Sequence, residues 1–235
     1  MRLKVIVCLM LIFRVGYSQN DSLKIKDLFL KSQQLYSSKK AYQIDATYKV
    51  YNSLKSENPS ESYKSIIIKN GNDYYSKIHN TEFIQIGNRS LKMNHDEKAL
   101  LLAKRQSQTN GLELINNMLS ILPYFKSYDV TETDNMIVCK FVAPDITQLP
   151  FTKVLIYFNK EDYSMKEQIL YLSNAMPYEE KGKTVYGNPR LEISMSKFKP
   201  YVETGKCKLD SYIKQNKNEN ILSDKYANYQ LISKL

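Results

Sequence analysis

The chain has 235 residues, 43% hydrophobic and 25% charged, with a formal net charge of +10. That length leaves little room for a second independent core, and the composition is that of an ordinary globular protein. The basic excess is spread along the chain without an arginine-rich patch, which argues against nucleic acid as a partner and for weak attraction to anionic lipid head groups.

The first 18 residues read as a cleaved signal peptide. Arg2 and Lys4 form the positive start, Val5 to Phe13 the apolar run, and Gly16 and Ser18 the small residues before a cut at Gln19. Val7 is too bulky for Cys8 to mark a lipoprotein. The expected location is therefore exported and periplasmic. Loss of Arg2, Lys4 and Arg14 lowers the formal charge from +10 to +7.

Asp21 to Lys40 is a helix candidate, with Ser22 as cap and Leu23 and Leu30 at helical spacing, Leu28 and Leu35 alongside. Ala41 to Ser53 switches to period two: Tyr42, Ile44, Ala46, Tyr48 and Val50 alternate with polar residues, as in a half-buried strand. A meander follows over Glu61 to Arg105, broken at Lys69-Asn70-Gly71-Asn72, at Gly87-Asn88 and at Asn94-His95-Asp96-Glu97. The Asn70-Gly71 pair predicts a type I′ hairpin turn. Leu91 with Met93, and Leu100 with Leu102, mark an apolar face.

Gly111 to Leu122 predicts a second helix, ended by Pro123. Strands are then expected over Tyr124–Val130, Met136–Ala143, Phe151–Phe158 and Tyr163–Ser173, with Val154, Ile156 and Phe158 on one face. Met176 to Lys183 reads as a loop, and Thr184–Tyr186 and Arg190–Lys199 close the sheet. The tail from Pro200 is rich in lysine and asparagine, with Tyr226, Tyr229, Leu231 and Ile232 as a packing end. About eleven strands in two runs, with helices before and between them, favour an α+β antiparallel sheet over a parallel fold.

Motifs for chemistry are absent from the sequence. His79 and His95 each stand alone, and His95-Asp96-Glu97 reads as a polar surface turn, since zinc needs three or four ligands at set spacings. There is no G-x-S-x-G elbow, P-loop or G-x-G-x-x-G. The expectation is a protein that is not an enzyme and holds no metal or cofactor. Cys139 and Cys207 are left in the mature chain, and two readings stay open: a disulfide between them or two separate buried thiols.

The order of elements resembles the LolA/LolB-like periplasmic lipoprotein carrier superfamily. The most specific likeness runs through Phe83–Ile86, Gly87-Asn88, Ser90–Met93 and Asn94–Glu97, and again through Tyr157-Phe158-Asn159 and Met165–Leu172. The superfamily's early glycine and arginine have no equivalent here, and its Asp-Gly turn is replaced by Gly87-Asn88. The resemblance implies an open, curved antiparallel half-barrel over residues 19–200, with the N-terminal and mid-chain helices on its concave face and residues 201–235 as a tail packing on it.

It also implies a binder of acyl lipid or lipoprotein. Tyr42, Ile44, Tyr48, Val50, Leu91, Met93, Leu100, Leu102, Val154, Ile156 and Phe158 are the expected lining of an apolar cavity. The alternative is an envelope module with a filled core that binds another envelope protein or serves structurally. Peripheral membrane contact suits either.

Overall fold

The computed structural model describes residues 21–105, 119–200, 202–216 and 219–234. The signal segment lies outside the described residues, as does most of the helix expected over Gly111–Leu122. Residues 119–121 of that helix are helical and run into a 3-10 turn at Leu122–Tyr124.

Helix α1 covers residues 21–38 and is followed by β1 (Ala41–Tyr51), β2 (Glu61–Asn70), β3 (Asp73–Ile78), β4 (Thr81–Ile86), β5 (Arg89–Asn94) and β6 (Ala99–Lys104). Next come β7 (Ser127–Glu132), β8 (Met136–Val142), β9 (Phe151–Asn159), β10 (Met165–Leu172), β11 (Met176–Glu180), β12 (Lys183–Gly187) and β13 (Arg190–Met195). The C-terminal segment adds β14 (Ile213–Asn216), β15 (Glu219–Leu222) and β16 (Gln230–Lys234).

Twelve strands form one open sheet in the order β16-β6-β5-β4-β3-β2-β1-β13-β10-β9-β8-β7, while β11–β12 and β14–β15 are separate hairpins. The α+β class and open antiparallel sheet expected from the sequence are present. Strands β2 to β6 pair antiparallel in succession, as do β7 to β10, and β13 pairs antiparallel with β10. Within this sheet β16, which lies parallel to β6, is not predicted by the sequence.

The chain divides into two compact units. The first comprises Met1–Ser38, Lys49–Glu61 and Leu114–Ser194, and the second Lys39–Tyr48, Ser62–Glu113 and Met195–Leu235.

In the first unit α1 buries Ile25, Leu28, Phe29, Ser32 and Tyr36. These recur every three or four residues and so share one stripe. Leu23 and Leu30, which the sequence reading placed on the helical stripe, are 67% and 48% exposed. The other stripe wins because it carries two aromatic rings, and rings bury more apolar area than leucines. The Phe29 ring meets Phe158 and Phe141 edge-on, with centroids at 5.4 and 6.3 Å. The Tyr36 hydroxyl accepts from the Met165 backbone N–H at 3.1 Å.

The expected loop at Met176–Lys183 is instead the first arm and turn of the β11–β12 hairpin. Glu180 pairs with Lys183 across Lys181-Gly182, and both turn residues take positive φ, 52° and 73°. That is the pattern of a type I′ turn, whose twist matches the strands it joins. Lysine at the first position hid the turn from a reading that relied on asparagine or aspartate there.

In the second unit the β2–β3 turn also differs from expectation. Asn70 pairs with Asp73, so the central residues are Gly71-Asn72 rather than Asn70-Gly71. Gly71 alone of the two has positive φ, 62°. This is the pattern of a type II′ turn, which needs glycine only at its first position.

Candidate functional site

In the second unit, register aligns the apolar residues of five strands. Ile68 lies opposite Tyr75, Tyr75 opposite Ile84, Ile84 opposite Leu91, and Leu91 opposite Leu102; Met93 lies opposite Leu100. Cross-strand partners project to the same side of a sheet and side chains alternate along each strand. These residues therefore form one continuous face, and all are buried.

The cover is the C-terminal segment. Cys207, Tyr212, Ile213 and Tyr226 are buried in the same cluster, with Val202, Leu209, Leu222, Tyr229 and Leu231 packed at its margin. Tyr212 and Tyr226 stack in parallel at 5.9 Å, and Tyr229 meets Tyr226 edge-on at 5.2 Å. Ile232, grouped with this packing end in the sequence reading, is 39% exposed. It faces away because strand alternation from Leu231 requires it.

One charged side chain interrupts the face. Glu82 shares the parity of Ile84 in β4, and its carboxylate takes three neighbours: His95 Nε2 at 2.9 Å, Lys77 Nζ at 3.7 Å and the Tyr75 hydroxyl, which donates to it. The other nitrogen of His95, Nδ1, is 2.8 Å from the Tyr229 hydroxyl. By sequence alone His95 stands in a polar surface turn with no local partner. The fold instead sets it between a buried carboxylate and the C-terminal segment. Tyr229 is far away in sequence, so no local spacing announces the pair; glutamate on the apolar parity of Thr81–Ile86 was the available signal.

Burial raises the Tyr75 and Tyr212 phenols, with the Glu82 charge adding to both, and pushes the Cys207 thiol up to about 12. These groups stay neutral at ordinary pH and behave as packing residues with polar tips.

The residues expected to line one cavity are distributed over different surroundings. Leu91, Met93, Leu100 and Leu102 lie on the tail-covered face just described. Tyr42 and Ile44, also buried, belong to the opposite face of the same unit. The Gly71 N–H donates to the Lys40 carbonyl at 2.7 Å, which sets Lys69 beside Tyr42, and the Lys69 ammonium lies 5.9 Å from the Tyr42 ring. Lys69 alternates with Ile68, so Tyr42 and Ile44 cannot share the face of Ile68 and Leu91. Tyr48 in the second unit and Val50 in the first are half-buried. Val154, Ile156 and Phe158 are fully buried in the first unit, whose helix α1 places Phe29 on Phe158.

Cys139 and Cys207 are both free and buried, each in a different unit. The second reading of these residues, separate thiols, is thus the arrangement found, and a disulfide between them is not. Each occupies a core position where a small apolar side chain is required: Cys139 lies opposite Ile156, and Cys207 sits in the tail-covered cluster.

Among the described residues, no group of three or more His, Cys, Asp or Glu side chains could hold a metal ion. No described helix is long and apolar enough to cross a membrane. An open cleft of about 660 Å³ in the second unit is lined largely by polar and charged residues, among them Asp45, Thr47, Ser62, Lys64, Lys77 and His79. It contains none of the residues expected to bind a ligand.

No family model matches the sequence, and no curated protein matches it. Solved structures do show a likeness. An uncharacterized conserved protein from Thermus thermophilus is similar at 10% identity over 89% of this chain and 98% of its own, with a TM-score of 0.47. A LolA superfamily protein from Nitrosomonas europaea is similar at 10% identity over 74% of this chain and 92% of its own, TM-score 0.31. The lipoprotein LppX of Mycobacterium tuberculosis is similar at 10% identity over 76% and 98% of the two chains, TM-score 0.37.

Proposed function

We propose that this protein is an exported, non-enzymatic carrier that shelters acyl chains of a lipid or lipoprotein against the apolar surfaces of its sheet. Transport of outer-membrane lipoproteins is the process such a carrier would serve. One observation carries the reading: an apolar surface spanning β2 to β6 is closed off by a segment from the far end of the chain, built of 3-10 turns and the short β14–β15 hairpin, rather than by a long helix or a second broad sheet. Acyl chains need no hydrogen bonds, only contact area, at about 25 cal/mol per Å² removed from water. Leu91, Met93, Leu100 and Leu102 supply that area in the second unit, and Val154, Ile156 and Phe158 form a second aliphatic group in the first.

The exposed lysines of the C-terminal segment, Lys208, Lys214 and Lys225, suit passing contact with anionic head groups. The test is mass spectrometry of an organic extract of the protein purified in folded form from a bacterial periplasm. A stoichiometric acyl lipid is expected, and a clean extract counts against the carrier.

The second reading, a binding or structural module of the envelope with filled cores, is favoured by a different observation. Every residue of the tail-covered face and all three of Val154, Ile156 and Phe158 are buried by the chain itself. A clean extract together with no uptake of added fatty acid decides for this reading.

A further inference from the structure

We propose that the open cleft of the second unit is a binding site for a phosphate monoester, with Lys64 and Lys77 as its cationic contacts. The proposal stands apart from the acyl reading. A lipid head group and a small soluble phosphate present the same anion to it.

Strand parity assembles the cations. Ile68 lies opposite Tyr75 and Ile66 opposite Lys77. Lys64 and Ser62 follow Ile66 at the same parity of β2, so they share the side of Lys77. Lys64 donates to the Thr47 hydroxyl at 3.2 Å, which brings β1 to the same place. One side of the sheet thus changes along its strands from apolar at Ile68 to cationic and hydroxyl-bearing at Lys64.

The charge there is not cancelled from within. Among the described residues Lys64 has no ion pair, and its hydrogen bond goes to a neutral hydroxyl. Asp45 lines the cleft, but its carboxylate is held by Lys199 Nζ at 2.6 Å. Lys77 Nζ stands 3.7 Å from Glu82 Oε1, an oxygen that His95 Nε2 meets more closely at 2.9 Å. Lys77 therefore keeps charge to offer, and its side chain is 41% exposed. Ammonium groups bind phosphate as point charges, and charge-assisted hydrogen bonds are the strong ones. Ser62 and Thr47 add hydroxyl donors.

Shape separates this cluster from lysines on a flat surface. The cleft holds about 660 Å³, within the range of about 300–1,000 Å³ usual for small-molecule sites. Tyr63 and His79 line it as well, with ring centroids 4.9 Å apart, and give the body of a ligand an aromatic contact. His79 takes φ 50° in the turn between Ile78 and Thr81. Glycine adopts that conformation freely, so the imidazole is carried to the cleft at a conformational cost.

The test is calorimetric titration of the folded protein with glycerophosphate and, separately, with monomeric dihexanoyl phosphatidic acid, at about physiological ionic strength so that diffuse attraction is screened. Lys64→Gln is expected to weaken binding about tenfold, the scale of one lost charge-assisted hydrogen bond, and Lys64→Arg to restore most of it. Lys140→Gln removes the same charge from an exposed position in the first unit and is expected to leave binding unchanged. The chain has two histidines, so proton–carbon NMR locates the ligand: the His79 ring signals should move on titration and those of His95 should stay.

Binding of glycerophosphate with this dependence on Lys64 supports the site and a soluble source. Binding of phosphatidic acid alone, with the same dependence, supports the site and a lipid source. Binding of neither overturns the proposal. So does equal weakening by Lys64→Gln and Lys140→Gln, which would mean attraction by net charge, and so do His79 signals that do not respond.

Discussion

The imidazole Nε2 of His95 lies 2.9 Å from Oε1 of Glu82, a carboxylate whose side chain is only 8% exposed. Glutamate on the apolar parity of a strand is costly to bury unless its oxygens are engaged. Tyr75 and Lys77 engage it from β3, and His95 engages it from the turn that follows β5 while facing Tyr229 with its other nitrogen. Removing His95 leaves the carboxylate short of a partner. The expected cost of His95→Ala is about 1–3 kcal/mol. A double-mutant cycle with Glu82→Ala, measured by urea unfolding, should show coupling of about 1 kcal/mol or more. Additive losses would mean that the contact contributes nothing to stability.

The stripe of α1 gives a contrast between residues that look alike in the sequence. Phe29 is fully buried against two phenylalanines, so Phe29→Ala should destabilise the first unit by about 3–5 kcal/mol. Leu23 is mostly exposed, and Leu23→Ala should stay within about 0.5 kcal/mol of the parent. Thermal unfolding of both variants checks the order. Similar losses would place α1 in another rotation.

Gly187 ends β12 where there is no room for a side chain. A Cβ there would stand 2.9 Å from the Asn52 carbonyl oxygen and 2.9 Å from a ring carbon of Tyr178. A backbone oxygen cannot swing aside as a side chain can, so Gly187→Ala should cost about 1–3 kcal/mol. Gly205 has open space around its Cβ position. Gly205→Ala should be neutral or stabilising by about 0.4–1 kcal/mol, by narrowing the unfolded ensemble. Denaturant midpoints for the pair provide the comparison.

Alkaline pH should weaken the fold. Burial pushes the thiols of Cys139 and Cys207 from 9.0 up to about 12, and the Tyr36 phenol from 10.0 to about 12. The neutral forms are favoured in the folded chain, so the unfolded chain ionises first and binds fewer protons. Stability from these groups is complete below about pH 9 and is lost as pH rises toward about 12. Urea midpoints should hold level up to about pH 8 and fall above it. Ellman's reagent at about pH 8 should label the two thiols slowly in the native protein and promptly in denaturant; prompt native labelling would contradict their burial.

Strands and most turns were legible because their causes are local. Period-two alternation in Ala41–Tyr51 and glycine at positions 71 and 87 act over a few residues, and they mark a strand and two hairpin turns where these lie, although the β2–β3 turn is centred one residue later than Asn70-Gly71 implies. The same reasoning missed β11–β12, where Lys181 takes a positive φ that its residue type does not advertise. On α1, helical spacing identified the helix but not its buried side, since two apolar stripes were available and packing of Phe29 chose between them.

The sequence by itself determined the open antiparallel sheet, its leading helix and the aliphatic parity of Leu91, Met93, Leu100 and Leu102. Tertiary structure decided what lies over each parity. Whether Tyr42 joins Leu91 on one face depends on register counted through successive strands, and a shift of one residue reverses the answer. That the C-terminal residues Cys207, Tyr212, Ile213 and Tyr226 cover the face, and that His95 meets Glu82 and Tyr229 there, depends on contacts between residues far apart along the chain. Such contacts leave no periodicity in either partner, because each side chain is chosen for a neighbour that only folding supplies.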